Sequence, residues 1–329
     1  MKLSDFDFEL PKYLIAQTPA SPRDHARLLI YDRKSRQIND DYFYNLDQYL
    51  LPATTLVLND SKVEKSRLRF GSTEVFVLET INPTTIKALV RPGKKFRTGA
   101  TTRIELQDKL LDIVTVDVDE QGIRTLHLSL PISDHRLDSY RLTPLPPYIS
   151  QNESLSGQYQ TVYAKPLGSK AAPTAGLHFT KTQLSELEKK HPIAKLTLHV
   201  GLGTFAPVKT DDIAGHKMHS EDFFLSAEAA AKLNESESIT AVGTTSIRVL
   251  ETLGKPFHEA SGSTDIFITP GYEFKAVESL ITNFHLPKST LLMLVAALVG
   301  TTEQMHSIYQ HAIENKYRFY SFGDAMLVK

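Results

Sequence analysis

Three times in its second half this sequence follows one plan: an apolar run, then a turn of glycine, hydroxyl and amide residues. "IAKLTLHV" runs into "HVGLGTF" (His199 to Phe205). "ITAV" runs into "VGTTSIR" (Val242 to Arg248), and "ESLITNF" runs into "TNFHLPKST" (Thr282 to Thr290). The last two turns open helix-period segments, "SIRVLETLG" and "STLLMLVAALVG". A further helix, "SAEAAAKLNES", starts at a capping Ser226. Strands alternating with helices bury both faces of a sheet, so this pattern predicts an α/β layer architecture.

The first half has a different texture. "ARLLIYDR" (Ala26 to Arg33) and "TTLVLND" (Thr54 to Asp60) read as buried strands. Then come short β-rich runs such as "TEVFVLET", "TTIKALVR", "LDIVTVDV" and "IRTLHLSL", with turn residues between them. The proline-rich "TPLPPYIS" (Thr143 to Ser150) closes the block. The expected organisation is a larger mixed α/β domain from residues 1–60 and 150–329, interrupted at 61–149 by a small all-β barrel.

Several function classes drop out. There is no cysteine, hence no disulfide, thiolate metal site or Cys nucleophile, which fits the cytoplasm. The run Leu291 to Gly300 is about half of the roughly 20 apolar residues that cross a bilayer, so no membrane role is expected. "VGLGTF" lacks the third glycine of a dinucleotide fingerprint, and no phosphate-loop lysine or G-x-S-x-G elbow occurs. Net charge is −1, so any nucleic-acid contact needs a local patch. "RPGKKFRTGATTR" offers one, with Arg91, Lys94, Lys95 and Arg97 and no acid.

Ligands of α/β sheets bind at the carboxyl ends of strands, where helix starts offer unpaired N–H groups. The three turns therefore nominate Gly201, Gly203 and Thr204; Gly243, Thr244, Thr245 and Ser246 with Arg248; and Asn283, His285 and Lys288. The second turn is the best anion cradle. Lys288 lies near the positive end of a helix capped by Ser289 or Thr290, which makes better sense if an anion visits. His178, in the small-residue loop "AAPTAGLHFT", and His199, His216 and His219 are acid–base candidates. "HKMHSE" lacks the H-E-x-x-H pattern, so a hydrogen-bonding or proton-transfer role is expected there and a metal is not.

Taken in order, "FDFELPKYLIAQTPASPRDHARLL", "LVLNDSKVEKSRL", "YQTVYAKPLGSKAAPTAGLHFT", "LTLHVGLGTFAPV", "HKMHSE", "AVGTTSIRVLE", "DIFITPGYEFKAVESLITNFHLPKSTLLMLVAALVG" and "YRFYSFGDAML" resemble one family over nearly the whole chain. It is the S-adenosylmethionine:tRNA ribosyltransferase-isomerase family of queuosine biosynthesis. Pro166, Ala206 and Asp222 stand where that family usually has an acidic residue, an Arg and a Trp. The resemblance implies transfer and isomerisation of the ribosyl part of S-adenosylmethionine onto 7-aminomethyl-7-deazaguanine in a tRNA anticodon loop, giving epoxyqueuosine, adenine and methionine. It implies no metal or redox cofactor, the S-adenosylmethionine being consumed, and a monomer is expected. Asp60 would then favour the sulfonium electrostatically. Two other readings are a paralogue acting on a free nucleoside and an RNA-binding module without activity.

Overall fold

The computed structural model describes residues 1–329 except 151, 202–207 and 209, and the side chain of residue 153. The chain forms two compact units, Met1–Lys62 with Pro146–Lys329, and Val63–Leu145.

The first unit is built on a nine-stranded sheet. Its strands are β1 (Arg27–Asp32), β2 (Gln37–Tyr42), β3 (Thr55–Asn59), β4 (Ile193–Leu198), β5 (Glu221–Leu225), β6 (Ile239–Val242), β7 (Ala260–Thr264), β8 (Ser279–Asn283) and β9 (Ala325–Val328). They lie in the order β7-β5-β4-β3-β6-β8-β9-β1-β2. The helices are α1 (Lys181–Glu188), α2 (Ala227–Asn234), α3 (Thr244–Leu253), α4 (Thr290–Val299) and α5 (Thr302–Glu314). The run β4-β3-β6-β8 is parallel throughout. Those strands therefore end at one edge, at Leu198, Asn59, Val242 and Asn283. The mixed α/β architecture expected from the alternation is what this unit has.

β3, β6, β8 and β9 are buried at every residue. The reason is cover on both faces. Val57, Ala241, Leu280 and Met326 enter one core with α2 to α5, while Leu58, Val242, Ile281 and Leu327 enter another with Phe43, Phe179 and Leu187. Successive strand residues point to opposite faces, so one apolar run feeds two cores. Eight of the ten uncharged residues of α4 are core as well, Leu292 to Val299 being buried. No single helix among the described residues is long and apolar enough to cross a membrane.

The second unit is a seven-stranded sheet with a core of its own, including Leu68, Val75, Ile86, Phe96, Leu111 and Leu126. Its order runs from the strand Arg141–Leu142 to the strand Thr101–Glu105. The ladder does not close on itself among the described residues, so the structure shows a seven-stranded sheet rather than a closed barrel.

Ser289 is the N-cap of α4: its Oγ accepts from Leu292 N at 3.2 Å and donates to the Leu286 carbonyl at 2.7 Å. Ser289→Ala should cost about 1 kcal/mol. A lower urea midpoint with an unchanged slope will show it.

Candidate active site

The ends of β3 and β4 are fastened to the start of α3 by one side chain. Asn59, fully buried at the end of β3, donates to the Leu198 carbonyl at 3.0 Å and to Thr245 Oγ1 at 3.3 Å. Its Oδ1 accepts from Leu198 N and Ser61 N, both at 3.1 Å. Gly243 follows β6 with φ of 89° and is the N-cap of α3. That left-handed backbone suits glycine, and a glycine cap has no side chain to occupy the first-turn N–H groups. α4 differs, since Ser289 already satisfies part of its start. Of these two helix starts, only that of α3 has no side-chain cap; Ser246 N–H donates to the Gly243 carbonyl at 3.1 Å, which leaves the Thr244 and Thr245 amides for an anion.

A hollow opens at this edge. Val200 after β4, Gly243, Thr244 and Thr245 after β6, and Thr282 to Leu286 at the end of β8 all line it, with the loop Ala171 to Ala175 and Tyr148, Tyr320 and Ser321 completing the wall. Two of the three turns singled out in the sequence thus share one cavity, and of the first only Val200 lines it, Gly201 not being among the lining residues. No Asp, Glu, Lys or Arg is among these lining residues.

His178 stands behind the wall rather than in it. Its ring packs on Phe43 at 5.1 Å, and its Nε2 lies 2.9 Å from Asn283 Nδ2. Burial, helped by the nearby Arg318 and Arg23 charges, pushes its pKa down to about 3. His285, in the wall, meets Thr282 Oγ1 at 2.9 Å, and its backbone N–H donates to Tyr309 Oη at 3.0 Å. Burial pushes its pKa down to about 3 too. Burial thus favours the neutral form of both rings at pH 7, each with one N–H donor and one nitrogen acceptor.

Other nominated residues sit elsewhere. Arg248 is not an anion partner of the cradle. It is buried against Glu221 in a close ion pair and donates to the Thr264 carbonyl at 3.1 Å. Glu221 in turn accepts from Gly201 N at 2.8 Å. The buried Ser246 donates its hydroxyl back to the Val242 carbonyl at 2.8 Å and does not line the hollow. Lys288 needs no visiting anion, because its Nζ meets Asp7 at 2.7 Å. His216 packs edge-on against Phe267, its pKa lowered by burial and by His219, which is itself exposed. Among the described residues no cluster of three or more His, Asp or Glu could hold a metal. His199 is half-buried beyond β4 and does not line the hollow. Asp60 does not line it either. Thr197 Oγ1 donates to Asp60 Oδ1 at 2.7 Å, and burial raises its pKa. Gly203, Thr204 and Ala206 lie outside the described residues.

Sequence reasoning missed Asn59, which shows only as a polar residue closing the apolar run "TLVLN", because its Leu198 and Thr245 partners are far along the chain. Glu221 lies in the "HKMHSE" segment expected to hydrogen-bond, and its partners there are Gly201 N and Arg248.

A parallel sheet edge carrying a hollow beside a helix start without a side-chain cap is the arrangement at which α/β proteins bind small ligands, and it defines the class of this chain. More particularly, the chain belongs to the queuosine biosynthesis protein family, whose model matches residues 3–328. It is 47% identical over 341 residues to the S-adenosylmethionine:tRNA ribosyltransferase-isomerase of Thermosipho africanus, covering 100% of both chains. It is 46% identical over 340 residues to the protein of that name from Thermotoga petrophila, again covering 100% of both. A crystal structure of S-adenosylmethionine tRNA ribosyltransferase from Thermotoga maritima is similar over 99% of this chain and 100% of that one, with 36% identity and a TM-score of 0.57.

Two predictions follow from the buried groups. Arg248→Met removes the only arginine that pairs with the buried Glu221 carboxylate among the described residues and should cost about 3–5 kcal/mol, with Glu221→Gln added to it restoring part of the loss. Chemical denaturation of the two variants measures this. The second concerns pH. His178 and His285 bind protons in the unfolded chain near pH 6.5 but resist them in the fold down to about 3. The unfolded state thus holds more protons in that window, and stability falls as pH drops from about 6.5 towards 3. The double variant His178→Gln, His285→Gln should lose stability less steeply over the same range.

Proposed function

We propose that this chain transfers and isomerises the ribosyl moiety of S-adenosylmethionine onto 7-aminomethyl-7-deazaguanine in tRNA, yielding epoxyqueuosine and releasing adenine and methionine. The observation that carries this reading is the full-length similarity to relatives bearing that name, joined to one hollow where the family's ordered motifs meet. On this reading the hollow holds S-adenosylmethionine. The amide cradle of α3 takes the methionine carboxylate, and the sulfonium meets a wall with no cation among its described lining residues. The sulfonium makes its neighbouring carbon acidic, so the consumed cosubstrate supplies the activation and no metal or redox cofactor is called for. A tRNA substrate places the protein in the cytoplasm.

The tRNA would be met on the second unit, which we read as the family's small β domain. Arg91, Lys94, Lys95 and Arg97 are exposed there around the short turn Gly93–Lys95. Phe96 between them is fully buried and anchors that turn. None of the four cations forms an ion pair among the described residues. Arg103, by contrast, is taken up by Asp112 at 2.7 Å. An anticodon loop offers its bases already unpaired, so the target base can be turned out without melting a helix.

The test mixes the protein with precursor-bearing tRNA and S-adenosylmethionine, then measures free adenine and the mass of the anticodon nucleosides. No adenine from folded protein overturns the reading. The triple variant Lys94→Gln, Lys95→Gln, Arg97→Gln should weaken tRNA binding and reduce the slope of log K against log salt by about 2–3. Unchanged turnover in that variant would point to a free nucleoside instead.

A further inference from the structure

Asn283 ends β8 at 2% exposure and forms part of the wall of the hollow. Its Nδ2 lies 2.9 Å from His178 Nε2, contributed from 105 positions away, and 3.4 Å from the Asp324 carbonyl oxygen. The Asp324 oxygen can only accept, so the amide nitrogen must face it. A turned carboxamide would set two oxygens against each other. That leaves Asn283 Oδ1, buried and without a hydrogen-bond partner among the described residues. Such an orphan acceptor is uncommon in a folded interior and costs stability while it stays unpaired.

We propose that Asn283 Oδ1 accepts a hydrogen bond from an N–H group of the bound cosubstrate, with His178 the positioning residue that fixes the carboxamide in this sense. The inference rests on the reading of the hollow as the S-adenosylmethionine site. The cosubstrate carries two such donors, the exocyclic amine of adenine and the ammonium of the methionine end. An acceptor locked this way favours a donor and rejects an acceptor in its place. The neutral state of His178 fits the role: with its proton on Nδ1 the ring keeps a lone pair for Asn283, whereas an imidazolium would donate at both nitrogens.

The experiment is calorimetric binding of three ligands to the whole protein: S-adenosylmethionine, its analogue with a 6-oxo purine, and its analogue lacking the α-amino group. The wild-type protein should bind one analogue about 10–100-fold more weakly than the parent. Weak binding of the 6-oxo analogue assigns the adenine amine, and weak binding of the other assigns the ammonium. This arm needs no substitution. Asn283→Leu should remove that discrimination, and His178→Phe should reduce it to a few-fold while both variants keep a cooperative melt. A purely structural His178 would leave the ratio between ligands unchanged. Equal binding of all three ligands by the wild type, or discrimination that survives Asn283→Leu, overturns the inference. Failure of the wild type to bind S-adenosylmethionine at all sinks the functional reading instead.

Discussion

Parallel strands part at their carboxyl ends, and there one carboxamide holds them. Asn59 uses both amide hydrogens and both oxygen lone pairs, on the Leu198 carbonyl, Thr245 Oγ1, Leu198 N and Ser61 N. It thereby joins the exits of β3 and β4 to the first turn of α3. Fully satisfied polar groups in a dry interior are geometrically demanding, so they fix position as well as contribute stability. Thr245, held by this bond, belongs to the wall of the hollow. The cavity keeps its shape because its floor is tied to the sheet.

A second restraint acts from the other side of the hollow. The loop Ala171 to Ala175 forms a wall of small residues. It continues into Gly176, where a Cβ would overlap the Tyr163 hydroxyl and crowd Thr161. Glycine is required there by close approach, not by backbone angle. Small residues let backbone, rather than side chains, come near a bound ligand.

How much of this could be read in advance divides along the chain distance of the interactions. The alternation of strand and helix, the Ser226 cap and the turn glycine at Gly243 are local signals, carried within a few residues. Whether Ser289 or Thr290 capped α4 was open, since both can accept, and geometry decided for Ser289. What could not be read were partners far apart. Arg248 finds Glu221 across 27 positions, and Lys288 finds Asp7 from the other end of the chain. In each case a cation read as free for a ligand already has its carboxylate. His178 is similar: its loop is legible, but burial that keeps the ring neutral depends on Phe43 and on sheet packing.

These resident pairings bear on the chemistry proposed. A sulfonium nucleoside brings a positive charge into the hollow, and an unpaired Arg248 or Lys288 there would repel it strongly at short range in a poorly hydrated site. Pairing both cations elsewhere removes that repulsion. Lining the cavity with ionised acids would be no better, because each empty site would hold desolvated charge. Among the described residues, what lines the hollow is a set of fixed dipoles: hydroxyls, a carboxamide, neutral imidazole and the α3 amides. Such groups need no reorganisation when a ligand enters, and they can favour a carboxylate at the helix start while tolerating a cation along the neutral wall. The zwitterionic end of S-adenosylmethionine presents both.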